Sequence, residues 1–98
     1  MTAYLIGQML VSNCEQYEVY KAMSTEIVKR FNGRFLTRGG EKVALEGEVE
    51  ARRVVIVEFP STEDGRRFYD SDAYRQARSL REGAASDIQL FLVAGFEP

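Results

Sequence analysis

Ninety-eight residues make one domain, spanning residues 1–98, with no room for a second core. A hydrophobic fraction of 45% beside 29% charged residues is ordinary for a globular chain, and a net charge of −2 supplies no field to recruit nucleic acid or an anionic membrane. Histidine and tryptophan are both absent, which removes the usual catalytic triads, the commonest zinc and iron ligands and the usual proximal haem ligand.

No phosphate-cradling glycine motif and no acidic calcium-loop spacing occurs either, so neither metal nor cofactor is expected. The single cysteine, Cys14, has no internal disulfide partner. The chain opens without a basic segment leading into an apolar run, and no apolar run approaches the ~20 residues of a membrane span. A reducing, cytoplasmic setting is the expectation, with no membrane and no nucleic acid as partner.

Residues 3–12 read as a strand, apolar on both faces: Tyr4, Ile6 and Leu10 on one, Leu5, Met9 and Val11 on the other. Asn13 then suits a helix N-cap, with Gln16 at the third helical position. Tyr17, Tyr20, Ser24, Ile27, Val28 and Phe31 follow at helical spacing, and Asn32-Gly33 is a left-handed stop. Residues 34–38 form a short strand, Gly39-Gly40 a primed two-residue turn, and residues 42–46 a weaker returning strand. Residues 47–52 are a charged connection. Residues 53–59 are the strongest strand, again apolar on both faces and therefore central. Ser61 caps the next helix, which breaks at Asp70-Ser71. Ser71 caps a further one, in which Ala73, Ala77, Leu80 and Ala84 share a face. Residues 88–94 are the last strand.

The order β-α-β-(β)-β-α-β predicts an α+β chain: a ferredoxin-like βαββαβ sandwich with an extra hairpin strand. Helices on one side cover only one face of such a sheet. The strands are apolar on both, so a second copy is expected over the other face, giving a homodimer.

Six short motifs in register carry a family resemblance: Tyr4-Leu5-Ile6-Gly7; Tyr17 with Tyr20; Gly33-Arg34-Phe35-Leu36 leading to Arg38-Gly39-Gly40; Leu45-Glu46-Gly47; Arg53 to Glu58 ending in Phe59-Pro60-Ser61; and Phe68-Tyr69-Asp70-Ser71 before Tyr74. Across nearly its whole length the chain resembles the bacterial family called domain of unknown function thirteen-thirty, of the dimeric α/β-barrel superfamily. The resemblance implies a ferredoxin-like protomer whose sheets pack face to face as a dimeric α/β barrel. The wider superfamily gathers cofactor-independent monooxygenases, lactone isomerases, cyclases, dismutases and haem degraders, and fold alone carries none of these activities over. Three positions depart from the family pattern. Cys14 stands where a proline commonly opens the first helix, and Glu48-Val49 where an acidic residue and a tryptophan often follow. Asp72-Ala73 replaces a frequent proline and glutamate. No site that uses that tryptophan ring is carried over.

Glu58 ends an otherwise apolar strand, where an unpaired carboxylate would be costly to bury. It is the candidate general base or ligand anchor, set against a carboxylate satisfied by Arg34, Arg38 or a helix N-terminus. Arg38, with the backbone amides of Gly39 and Gly40, is the candidate anchor for an anionic ligand, against a plain hairpin with a solvated arginine. Tyr17, Tyr20, Tyr69 and Tyr74 are candidate cleft-lining residues, against core tyrosines with surface hydroxyls. Cys14 sits in a first helical turn without a histidine to activate it, and a nucleophilic role is not expected. Arg75, Arg78 and Arg81, with Arg66 and Arg67, read as a solvated face paired with nearby acids rather than as a nucleic-acid surface. Two functional readings stand. One is a cofactor-independent enzyme or binder of a small organic molecule in a cleft near Glu58; the other is a non-catalytic dimeric module.

Overall fold

The computed structural model describes residues 1–96 and orders them as β1 (Ala3–Val11), α1 (Cys14–Arg30), β2 (Arg34–Arg38), β3 (Arg53–Phe59), α2 (Thr62–Asp70), α3 (Asp72–Ser79) and β4 (Ala85–Ala94). The strands form one antiparallel sheet in the order β2-β3-β1-β4, so the two strands apolar on both faces are the central pair. All three helices lie on one face, and the molecule is a slab of 37 × 35 × 17 Å. Among the described residues, no helix is long and apolar enough to cross a membrane.

Capping residues set the helix starts. The Gln16 amide donates to Asn13 Oδ1 at 3.1 Å, Asp64 N to Ser61 Oγ at 3.1 Å, and Tyr74 N to Ser71 Oγ at 3.1 Å. The Gln16 side chain does not close a capping box. It reaches across to donate to the carbonyls of Leu80 (2.8 Å) and Glu82 (2.7 Å), tying the start of α1 to the turn after α3. Asn32 takes the left-handed conformation that ends α1 (φ 63°), and Gly33 N donates to Val28 O at 2.9 Å.

Strand alternation divides the side chains between two environments. Leu5, Met9, Val57 and Phe59 face the helices and are buried with Tyr17, Tyr20, Val28, Phe68 and Tyr74. Tyr4, Ile6, Val54, Ile56, Phe91 and Val93 lie on the other face and are at best half-buried. Helices on a single side leave that face bare, as the layer count requires.

Three expectations about the elements are corrected. The returning strand at residues 42–46 is absent. The stretch from Gly39 to Arg52 is an irregular loop in which the Lys42 ammonium donates to the carbonyls of Glu50 and Arg52, while Val43 (76% exposed) and Leu45 (92%) find no core to join. Backbone carbonyls bound by Lys42 and a Glu50 carboxylate bound by Arg52 (2.8 Å) hold the loop closed without a ladder. The last helix ends at Ser79 instead of running on to Ala84, because Gly83 (φ 78°) turns the chain back. The final strand begins at Ala85, three residues early. A bulge opposite β1, with Asp87 at φ 51°, lets the polar Ser86-Asp87 pair sit inside it.

Candidate functional site

One helix-facing position of the central strand has no side chain, and Leu90 leans over it. Gly7 faces the helices between Leu5 and Met9, and a methyl there would approach Leu90 Cδ1 to 3.0 Å. Above it is a cavity between sheet and helices, with about 30 Å³ open to water centres. That is room for about one or two waters as the chain stands. Apolar walls come from Leu5, Val28, Val55, Val57, Phe68 and Leu90. Polar groups come from Tyr17, Tyr20, Ser24, Arg38, Tyr74 and Arg81.

Each polar group is placed by a local feature. β2 pairs Arg38 with Val55, which directs its side chain to the helix side of the sheet. There it lies 4.1 Å above the Phe35 ring and donates to Thr25 Oγ1 (2.6 Å), Ser24 Oγ (2.6 Å) and the Lys21 carbonyl (3.2 Å), all on α1. Burial, with Arg53 a lesser contributor, lowers its affinity for the proton against the opposing pull of Tyr17, Tyr20 and Glu18. Tyr20 and Tyr74, from α1 and α3, share a hydrogen bond of 2.7 Å between hydroxyls, and Arg81 Nη1 donates to the Tyr74 hydroxyl at 3.3 Å. Arg81 is only 7% exposed. The Gln16 clamp fixes the carbonyls on either side of it. Burial, with the neighbouring Tyr20 second, pushes the Tyr74 phenol far above its usual range. Burial also raises Tyr17, whose hydroxyl donates to Met9 Sδ at 3.4 Å, against the opposing pull of Arg53, Arg38 and Arg81. Arg53 stacks on Tyr17, 5.4 Å from its centroid, and donates to the Arg38 carbonyl at 3.3 Å.

The sequence-predicted residues divide. Arg38, Tyr20 and Tyr74 meet at the cavity. Glu58 does not join them. It follows Val57 in β3, and with Val57 turned toward the helices its carboxylate falls on the bare face, 3.5 Å from Arg34 Nε. A cleft holding both Glu58 and Arg38 is therefore excluded by the pleat. Tyr69 is displaced as well. It sits on the exposed side of α2 under the Arg78 guanidinium, 4.5 Å from its ring centroid, and reaches the cluster only through Tyr74. Gly39 and Gly40 border a separate open groove with Lys42 and Arg53. Gly39 N donates to Val54 O (2.9 Å), and its φ of 75° is the left-handed conformation that favours glycine, with the Arg53 guanidinium lying over it.

Arg81 is the residue that sequence reasoning misplaced. Its spacing from Arg75 and Arg78 suggested one solvated stripe, but the helix ends before it and the turn sends it inward. Arg66, Arg67 and Arg75 do pair locally, with Asp70, Asp64 and Asp72. Gly7 and Arg53 were not singled out as site residues. A glycine inside a strand otherwise filled with large apolar residues is the signal that could have found the cavity.

A four-stranded antiparallel sheet in this order, with its helices on one face, defines a ferredoxin-like α+β protein. The chain belongs to the family described as Domain of unknown function (DUF1330), whose model matches residues 2–96. Its fold is similar to that of RPA0582, a protein of unknown function from Rhodopseudomonas palustris. The TM-score is 0.79 and identity 21%, over 99% of this chain and 84% of that one. It is similar also to SnoaB, a cofactor-independent oxygenase from Streptomyces nogalater, with TM-score 0.69 and 12% identity over 99% and 95% of the two chains. A third likeness is to a dimeric protein of unknown function and ferredoxin-like fold from Bacteroides fragilis, with TM-score 0.56 and 10% identity over 94% of each chain. No curated protein matches the chain.

Proposed function

We propose that the protein is a homodimer that takes a small organic molecule into the cavity between its helices and its sheet. The observation that carries this reading is the ring of buried Tyr20, Tyr74 and Arg81 and half-buried Arg38 around the cavity beside Gly7. These groups bond to one another and to α1, yet they still leave a void between them. A void of about 30 Å³ admits only the head of a ligand, so the rest enters as the walls part. Any chemistry there would run on positioning and on the tyrosine and arginine protons, without a cofactor. The oxygenase of similar fold supports that much and no particular reaction.

The bare sheet face supports the dimer. Four strands ~4.8 Å apart and roughly 7–9 residues long present about 400–500 Å² in projection, and side-chain relief brings this toward the ~800 Å² per partner of a stable pair. Phe91 and Val93 on that face are exposed in the lone chain, as are Val43 and Leu45 of the loop. A reducing cytoplasm fits the exposed lone Cys14.

Two measurements test the reading. A panel of small organic acids, amides and phenols is screened for stabilisation of the wild type by thermal melting, and each hit is repeated on Gly7→Val. Hits that stabilise the wild type and not the filled variant are expected. If no compound stabilises the wild type while Gly7→Val melts higher, the cavity is only a packing defect.

A further inference from the structure

We propose that the cavity is an oxyanion site and that its ligand is a small organic carboxylate, held by its acid group between Arg38 and Arg81, with Arg53 adding positive charge from behind the Tyr17 ring. The inference rests on the cavity being the ligand site and adds the ligand's chemical class.

Three guanidiniums converge on Tyr17 and Tyr20: Arg38 through the cavity wall, Arg53 over the Tyr17 ring, and Arg81 with its Cζ 5.4 Å from the Tyr20 centroid. Of the seven other arginines, five find acids: Arg34 with Glu58, Arg52 with Glu50, and Arg66, Arg67 and Arg75 with aspartates, while Arg78 stacks on the exposed Tyr69. Among the described residues no carboxylate lies within ion-pair distance of Arg38, Arg53 or Arg81. Three like charges gathered in a partly buried cluster repel, and each lacks the counter-ion that burial demands.

The hydrogen bonds point the same way. Arg53 Nε is buried and has no acceptor at all. Arg81, almost wholly buried, has a single side-chain bond, to the Tyr74 hydroxyl. Tyr20 and Tyr74 hold two hydroxyl hydrogens between them and spend one on their mutual bond. Whichever way that bond runs, one hydrogen has no acceptor among the described residues. Tyr17 spends its own on a thioether, a weak acceptor. Arg38 alone is supplied with acceptors, by α1; around Arg53, Arg81 and the tyrosines, donors outnumber acceptors. A carboxylate is acceptor-only, matches the guanidinium fork and restores neutrality. The apolar wall of Leu5, Val57 and Leu90 next to these donors suits a hydrocarbon tail, which inorganic phosphate lacks.

The test compares acetate, propionate and benzoate with acetamide, propionamide and benzamide at constant ionic strength, with inorganic phosphate as a further arm. Binding is read from the Nε–Hε resonances of Arg38 and Arg81 in nitrogen-edited spectra of the wild type. The carboxylates are expected to shift both resonances and to bind at least about tenfold more tightly than their amides. Arg38→Met should lose that preference, and Arg38→Lys should keep part of it. If an amide binds as well as its acid, the oxyanion assignment falls while the small-molecule cavity stands. Phosphate binding more tightly than every carboxylate overturns the organic-acid class. If no arginine or cavity resonance moves with any probe, the assignment falls together with the cavity reading beneath it.

Discussion

Removing the Tyr20 hydroxyl would leave Tyr74 with Arg81 as its only hydrogen-bond partner. Tyr20→Phe is expected to cost about 1 kcal/mol, a fall of about 4–8 °C in melting temperature for a domain of this size. Tyr74 also makes stability depend on alkali. The folded phenol keeps its proton at pH values where the unfolded chain's, with its ordinary value of 10.0, has given it up. The stabilisation is complete below about pH 10 and is lost as pH climbs toward the folded value, with a limiting slope of about 1.4 kcal/mol per pH unit. Denaturant midpoints measured from neutral pH to pH 11 should fall at the alkaline end, and Tyr74→Phe should flatten that fall. Glu58 behaves differently. Its partner Arg34 is 72% exposed, so Glu58→Gln is expected to change thermal stability by less than about 1 kcal/mol. A loss of several kcal/mol in the melt would mean that the carboxylate is buried against a charge after all.

At the scale of elements, the Gln16 side chain joins the start of α1 to the turn carrying Arg81, beside the backbone bonds from Ser12 and Asn13 to the Ala84 carbonyl. Gln16→Ala is expected to cost about 1–2 kcal/mol. It should also speed amide hydrogen exchange at Arg81 and Ala84, whose N–H groups close that turn. Unchanged exchange there would show that Arg81 is held by its burial alone. The same elements show where the sequence was readable. Caps at Asn13, Ser61 and Ser71 and the double-faced apolar runs at residues 3–11 and 53–59 are local signals, and each carried its element. Tyr20 and Tyr74 were legible as polar groups on the inward sides of their helices, while Arg38 was singled out only by its place beside the Gly39-Gly40 turn. Glu58 was misassigned because a strand apolar on both faces hides which face an end residue takes; only the neighbour across the ladder settles it. Arg81 was missed because helical spacing says nothing once the helix has stopped. The strand expected at 42–46 leaves the outer edge of β2 unpaired, because Val43 and Leu45 find no core there and Lys42 is drawn to the Glu50 and Arg52 carbonyls.

The whole molecule is a slab with one dressed face, and its oligomeric state follows from what covers the other. Phe91→Arg places a charge at the middle of the bare face, opposite Ile6. The variant is expected to be monomeric by light scattering at micromolar concentration, with its circular dichroism unchanged, while the wild type has twice the mass. A wild type that stays monomeric would remove the homodimer from the proposed function and leave the cavity untouched.

The cluster of rings around the cavity has an optical consequence. With no tryptophan in the chain, ultraviolet emission comes from its five tyrosines alone. Four of them form one connected group, with ring centroids 5.4 Å apart for Tyr17 and Tyr20, 6.3 Å for Tyr20 and Tyr74, and 5.8 Å for Tyr69 and Tyr74. Excitation delivered to any of these rings migrates readily among them, and three of the four border or overhang the same small void. The unlabelled protein is thus its own fluorophore for whatever enters. Occupancy would register as a change in quantum yield or anisotropy, and Tyr4, across the sheet, would supply the steady background.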